Sequence, residues 1–197
     1  LVFVDSDTLN AGYSCVTVDF ENAVRKVLEH FINAGFDQIG MIAGQERTSD
    51  QASLIGDPRL ASFQQCLSEK GIFHADLVKV GNFSSESGYQ MMTELLSQHN
   101  GQLPSAFFIS SDALAIGALR ALQEHGIHVP QDVSIISFND TSIAKYIYPS
   151  LSTVTVFTEE MGKQALHILN QSLTSEEDSI PYMVKLSTKL TIRESSI

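Results

Sequence analysis

The sequence predicts an α/β fold, a mostly parallel sheet with helices on both faces. Short β-branched runs alternate with amphipathic helical runs, which is typical of this architecture. Four strand-like runs begin near residues 39, 77, 106 and 133, so successive starts are 38, 29 and 27 residues apart, about one βαβ repeat each. They read IGMIAG, DLVKVGNF, SAFFISS and DVSIISFND. A hydrophobic content of 43% is enough to cover such a sheet on both faces.

The remaining elements follow from periodicity and from capping signals. Two extended runs, LVFVDS and SCVTVD, open the chain, and LSTVTVF, a helical run around Met161 and the alternating tail MVKLSTKLTIRES close it. Apolar residues at helical spacing predict further helices. They are Val24, Val27, Leu28, Phe31 and Ile32, then Leu60, Phe63 and Leu67, then Tyr89, Met92, Leu95 and Leu96. Helix C-caps are predicted at Gly35 and Gly126 and N-caps at Asp57, Asp112 and Asp140.

Charge and motif content exclude several classes of protein. Lys and Arg number 12 against 23 Asp and Glu, and the formal charge of −11 disfavours broad contact with nucleic acid or an anionic membrane. Cys15 and Cys66 form no CxxC pair, which indicates reduced core residues and a cytoplasmic protein. No GxSxG, HExxH, Walker A or GxG motif occurs, so neither an enzyme, a cofactor nor a metal site is expected.

Candidate binding residues lie directly after the strand-like runs, because ligands of open α/β sheets bind beyond the carboxyl ends of the strands. Arg59 begins the helical run that follows a long loop, and its planar fork suits bidentate hydrogen bonds. An aromatic ring beside such polar groups is typical of sites for small polyhydroxylated ligands. The candidates after strands are Asp5, Ser6, Gln45, Phe83, Ser111, Asp112, Asn139 and Asp140, of which Asp112 and Asp140 are expected to be caps rather than contacts.

The helical run ALAIGALRAL is apolar or small almost all the way round. A helix with one solvent-exposed face should carry polar residues on that face. The outer face of this helix is therefore expected to be covered. The neighbouring segment YIYP adds aromatic surface of the kind that marks partner interfaces. Burial of the helix within a larger single domain is the alternative explanation.

Five stretches in order resemble the effector-binding core of the LacI/GalR family of bacterial transcription regulators. They are NAGFDQIGMIAG, PRLASFQQCL, the run from Ser110 to Asp140, YPSLSTV and LTIRESS. The resemblance implies a periplasmic-binding-protein-like fold with two lobes. Residues 19–155 and 186–197 would form the C-terminal lobe, and residues 1–18 and 156–185 would be pieces of the N-terminal lobe. It also implies that DNA is contacted through an N-terminal helix-turn-helix that this chain lacks.

The same resemblance implies roles for single residues. Asp5, Arg59, Phe83, Ser111 and Asn139 would bind the effector, and Asn139 departs from the Asp that is usual at its position. Ile116, Tyr146 and Ile147 would lie on a homodimer face. The expected function is sugar sensing in a cytoplasmic repressor, with a galactoside as the expected sugar. A periplasmic sugar-binding protein of a transporter is the alternative, and a sugar-acting enzyme is a third.

Overall fold

A computed structural model of the chain describes residues 1–47, 53–174 and 180–197. The strands are β1 (Val2–Val4), β2 (Ser14–Val18), β3 (Ile39–Arg47), β4 (Leu54–Ile55), β5 (Val78–Asn82), β6 (Ala106–Ile109), β7 (Ser134–Asn139), β8 (Ser152–Thr155), β9 (Met183–Leu186) and β10 (Lys189–Thr191). The helices are α1 (Phe20–Asn33), α2 (Pro58–Glu69), α3 (Ser85–Gln98), α4 (Asp112–Glu124) and α5 (Thr158–Thr174). The predicted fold class, a parallel sheet flanked by helices, is confirmed.

The strands form two separate sheets. In the larger sheet the order is β10-β8-β7-β6-β3-β5, parallel except for β10, and β4 pairs antiparallel with the end of β3. The smaller sheet has the order β1-β2-β9 and is entirely parallel. The chain passes between the sheets three times, through α1, through α5 and between β9 and β10. The lobe boundaries inferred from the resemblance remain a prediction.

The larger sheet is covered on both faces, as the continuous apolar strands predict. Neighbouring residues of a strand point to opposite faces, and Phe107 and Phe108 of β6 accordingly belong to different hydrophobic clusters. Phe108 packs with residues of α1 and α2, such as Phe31 and Phe63, whereas Phe107 packs with residues of α3 and α4. All these phenylalanines are fully buried.

Helix termini follow the predicted capping signals in part. Asp57 is the N-cap of α2, where its side chain accepts from the backbone N–H of Arg59, and Gly35 and Gly126 adopt positive φ just beyond α1 and α4. The predicted caps at Asp112 and Asp140 are wrong. Ser111 caps α4 by accepting from Leu114, and both aspartates hold long-range contacts instead.

The apolar character of α4 has its explanation inside the chain. Helix α3 packs directly on α4, and glycines allow the two backbones to approach closely. A Cβ at Gly88 would lie 2.1 Å from the carbonyl oxygen of Leu114, and one at Gly117 would lie 1.8 Å from that of Ser85. The outer face of α4 is covered, as expected, and α3 of the same chain supplies cover there, which favours the alternative of burial within the domain.

Strand β4 is absent from the sequence prediction, which placed a long loop between β3 and α2. Leu54 and Ile55 pair with Arg47 and Glu46 at the end of β3, and residues 48–52 of that loop lie outside the described residues. Of the helices in the described part of the chain, none combines the length and apolarity that crossing a membrane requires.

Candidate functional site

A cavity of about 610 Å³ opens between the two sheets, beyond the carboxyl ends of the strands of the larger sheet. Its volume lies within the roughly 300–1,000 Å³ of small-molecule sites. The smaller sheet contributes Val4, Asp5 and Val18, and the larger sheet and its helices contribute most of the rest. The five predicted effector-binding residues all line it, namely Asp5, Arg59, Phe83, Ser111 and Asn139.

Arg59 is held in the cavity wall at the start of α2. Its Nε donates to Oδ1 of Asp57 at 2.6 Å, and its Cζ lies 4.9, 5.3 and 5.5 Å from the ring centroids of Phe138, Phe83 and Phe20. Contacts of this kind between guanidinium and ring faces are attractive. Within the described ranges the side chain donates only through Nε, so its Nη groups remain available to a ligand.

Asp57 orients this arginine from the last position before α2. Its side chain is 0% exposed, and Oδ1 accepts from both the backbone N–H and Nε of Arg59. Its other oxygen, Oδ2, is buried and has no hydrogen-bond partner in the described part of the chain. A buried ion pair of this geometry fixes the guanidinium in place, because breaking it would leave a charge uncompensated.

Phe83 follows β5 and lies over Gly44 of β3. A Cβ at Gly44 would lie 2.3 Å from Cε1 of Phe83, so the ring can occupy this place only above glycine. The backbone N–H of Gly44 donates to Oγ of the buried Ser110 at 3.0 Å, which anchors this part of β3. The aromatic wall of the cavity therefore depends on a residue without a side chain.

Asn139 ends β7 in a backbone conformation that non-glycine residues rarely adopt, with φ of 109°. Its carbonyl oxygen accepts from Val156, which lies where the chain leaves the larger sheet for α5. Asp140 also has positive φ, and its carboxylate accepts from Arg193 at 2.7 Å and from Thr155 at 2.8 Å. Such conformations persist where surrounding contacts hold them, and they concentrate at ligand sites.

Ser111, not Asp112, caps α4, and Asp112 takes a structural role that the sequence did not suggest. The hydroxyl oxygen of Ser111 caps α4, although Ser111 also lines the cavity. Asp112, 1% exposed, accepts from Ser137 and Thr153 through Oδ1 and from the N–H and hydroxyl of Thr141 through Oδ2. These four bonds tie the start of α4 to β7, β8 and the segment after Asn139.

Asp5 faces the same cavity from the end of β1, with φ of 59°. Loss of water around its carboxyl raises the pKa of Asp5 above the ordinary value. The positive charge of Arg59 acts in the opposite direction on that pKa, and the negative charge of Glu46 raises it further. Asp5 therefore shares an electrostatic environment with residues of the larger sheet.

Sequence reasoning missed part of the cavity wall. Phe20, Glu46, Asp57 and Phe138 line the cavity as well, whereas the candidates Ser6 and Gln45 do not. The sequence does contain a signal for the role of Asp57, since an N-cap carboxylate two residues before an arginine can form an ion pair with that arginine. No sequence signal marks Phe20 and Phe138 as cavity residues, because a phenylalanine in a strand, such as Phe138, has the same pattern as a core residue.

The residues assigned to a dimer face lie in different surroundings. Ile116 lines the cavity and is half-buried, and Ile147 is partly buried against the cluster around α3 and α4. Tyr146 is 85% exposed, close in sequence to the exposed Ile143 and Tyr148. Ile116 therefore has a role in the cavity wall that accounts for its apolar side chain without a partner.

Comparison with known proteins identifies the family to which this chain belongs. The sequence model of a periplasmic binding protein-like domain matches residues 28–196. The chain belongs to this family. Its curated relatives include the HTH-type transcriptional regulator GalR of Streptococcus thermophilus, 52% identical over 100% of this chain and 59% of the relative. Another is the HTH-type transcriptional repressor MelR of Bacillus subtilis, 37% identical over 98% of this chain and 56% of the relative.

Solved structures of transcriptional regulators superpose on this chain. A transcriptional regulator CelR–cellobiose complex superposes with a TM-score of 0.81 at 30% identity, over 93% of this chain and 54% of that one. The regulator CcpA of Lactococcus lactis superposes with a TM-score of 0.81 at 27% identity, over 100% of this chain and 69% of that one. The predicted LacI/GalR-type likeness is confirmed. The chain spans less than two thirds of the length of these curated relatives.

Proposed function

We propose that this chain is the effector-sensing domain of a LacI-type transcriptional repressor and that a sugar binds in the cleft between its two sheets. The observation that carries the proposal is Arg59, fixed by Asp57 among three aromatic rings with its Nη groups left for a ligand. A sugar would pack its C–H faces on Phe83 while its hydroxyls pair with Arg59, Asp5 and Asn139. Ser111 contributes a further hydroxyl at the cavity wall.

The contacts of Asn139 offer a route from the ligand to the rest of the repressor. Its backbone carbonyl is bonded to Val156, at a point where the chain passes between the sheets. A sugar that bound Asp5 on one sheet and Asn139 on the other would favour one relative position of the sheets. Ligand binding would thereby shift the balance between DNA-binding and released states of the full-length protein.

The wider assignment extends the resemblance to the LacI/GalR family beyond what the named relatives test. The lobes would comprise residues 19–155 with 186–197, and residues 1–18 with 156–185. DNA would be contacted by a helix-turn-helix domain outside this chain, in a cytoplasmic homodimer whose face includes Tyr146 and Ile147. Within the family we propose a likeness to the evolved β-galactosidase repressor, which makes a galactoside the first sugar to test. A relative named GalR is consistent with that choice.

The two alternatives receive less support. A transporter's sugar-binding protein would share the fold, but the named relatives are transcriptional regulators. A sugar-acting enzyme would need a nucleophile or a pair of acids across the bond to be cleaved. Asp5 and Glu46 are the cavity's unpaired carboxylates among the described residues, and turnover of a bound sugar would be required to support that reading.

Isothermal titration calorimetry of residues 1–197 against galactose, lactose, melibiose, cellobiose and ribose tests the proposal. One or more of these sugars should bind with a dissociation constant in the micromolar to millimolar range, about −4 to −8 kcal/mol. Sorbitol, which lacks a ring to stack on Phe83, serves as the control. Absence of binding by every sugar would contradict the proposed function.

A further inference from the structure

The charge of Arg59 is already balanced within the cleft. Nε of Arg59 lies 2.6 Å from Oδ1 of Asp57, and these side chains are 12% and 0% exposed. Poor access to water strengthens this pair relative to a surface ion pair. A ligand anion that approached Arg59 would compete with a carboxylate that is already present and that cannot leave.

Two further carboxylates line the same cavity. Asp5 directly follows β1, and Glu46 lies in the part of β3 that pairs with Ile55. Among the described residues the cavity wall therefore carries three carboxylates, Asp5, Glu46 and Asp57, against one guanidinium, a net charge of −2. Burial raises the pKa of Asp5 most, the positive charge of Arg59 lowers it, and the negative charge of Glu46 raises it further, so Glu46 and Asp5 are close enough to interact.

Recognition of a phosphate group needs the opposite arrangement. Proteins bind phosphates with unpaired Arg or Lys side chains or with helix N-termini that face the anion. The described cavity wall has a single cation, which is paired. Residues at the N-terminal ends of α2, α3, α4 and α5 also line the cavity, but in α2, α3 and α4 the N-cap side chain, Asp57, Ser84 or Ser111, already accepts from a backbone N–H. By contrast, an uncharged sugar can donate hydroxyl hydrogens to Asp5 and Glu46 and accept from the Nη groups of Arg59.

We infer that the cleft selects uncharged sugars and rejects their phosphate esters. The inference rests on the proposed function, since it concerns the same cavity. It assigns Asp5 and Glu46 a second role, in which their negative charge discriminates against phosphorylated sugars as well as pairing with hydroxyls. Discrimination by like charge is a common route to ligand specificity.

Calorimetry with matched pairs tests this inference. Galactose, lactose and cellobiose are each compared with their 6-phosphates at about 0.1 M salt, where charges separated by less than about 10 Å still interact. For every parent sugar that binds, the corresponding 6-phosphate should bind at least about tenfold more weakly. A 6-phosphate that binds as tightly as its parent would overturn the inference and leave the proposed function intact. If none of the neutral sugars binds, both fail.

A charge-removal variant separates electrostatic rejection from a steric clash. In the double variant Asp5→Asn with Glu46→Gln, the affinity of the 6-phosphate should rise several-fold relative to that of the parent sugar, even if both affinities fall. Glu29→Gln is the matched control, because Glu29 is exposed on α1 about 14 Å along the helix from Phe20. An affinity ratio that stays the same in the double variant and in the control would overturn the electrostatic assignment.

Discussion

Asp112 is the buried carboxylate that holds the end of β7 in place. Its partners Ser137 and Thr153 lie 25 and 41 residues further along the chain. A local pattern cannot reveal such contacts, which is why Ser-Asp before a helix predicts a capping aspartate. Asp140 was misjudged for the same reason, since its partner Arg193 is 53 residues away. Phe83 lines the cavity where the rule that ligands bind beyond strand ends predicts it, and Arg59 lines it from the start of the helix after the long loop.

The variant Asp112→Asn tests this network. An amide presents one acceptor oxygen and one NH₂ group to four donors, and the backbone N–H of Thr141 cannot reverse its role. The free energy of unfolding should fall by about 2 kcal/mol. Urea denaturation measures the loss, with Asp76→Asn on an exposed turn as the control. Equal stability of the two variants would show that the network contributes little.

Gly44→Ala addresses the position of the Phe83 ring. The new methyl group would overlap the ring, so Phe83 must move into the cavity or away from it. Sugar affinity should fall about tenfold or more, and stability should fall by about 1–3 kcal/mol. Gly162→Ala is the matched control, because nothing lies within 4 Å of its Cβ position. Unchanged sugar affinity in Gly44→Ala would remove Phe83 from the binding surface.

The strands and helices were predictable because each one carries its own periodic pattern. The four βα repeats, the two opening strands and the alternating tail all appear where apolar runs predict them. Strand β4 has only two residues, both exposed, and it exists because the end of β3 extends beyond β5. Nothing in Leu54 and Ile55 alone predicts such a pairing.

The contact between α3 and α4 depends on glycine. In Gly88→Ala the methyl group would meet the carbonyl oxygen of Leu114, which is backbone and cannot rotate aside. The helices would have to separate, at a cost of about 1–3 kcal/mol or more. Thermal or urea denaturation should show this loss, whereas Gly162→Ala in the exposed part of α5 should gain up to about 1 kcal/mol. A stable Gly88→Ala protein would refute the close approach.

At the scale of the whole molecule, the dimer prediction rested on the apolar character of α4, and the fold does not support that argument. Helix α4 is covered by α3, and Ile116 lines the cavity. What remains of the predicted face is the exposed Tyr146, beside the exposed Tyr148 and the partly buried Ile147. Sequence patterns show that a helix needs cover, but they do not show whether the cover comes from the same chain.

If these exposed residues form a two-fold interface, Tyr146→Asp should weaken self-association. A stable interface buries at least roughly 1,000 Å² in total, and a charge within it is costly. Sedimentation velocity across a concentration series would compare the wild type, Tyr146→Asp and Leu166→Asp, the last an equally apolar but separate position on α5. An Ile116→Asp variant would also disturb the cavity and is less informative. Monomeric behaviour of all three proteins at high concentration would argue against the interface.

The central claim is that Arg59 binds a sugar in the cleft, and calorimetry of Arg59→Ala tests it most directly. The sugar that binds the wild type most tightly is titrated into Arg59→Ala and into Arg59→Ala with Asp57→Asn, which relieves the buried carboxylate left unpaired. Both variants should lose at least about 2 kcal/mol of binding free energy, roughly thirtyfold in affinity, because ligand hydroxyls lose a charged donor. Urea denaturation confirms that the double variant is folded. Wild-type affinity in the folded double variant would contradict the account.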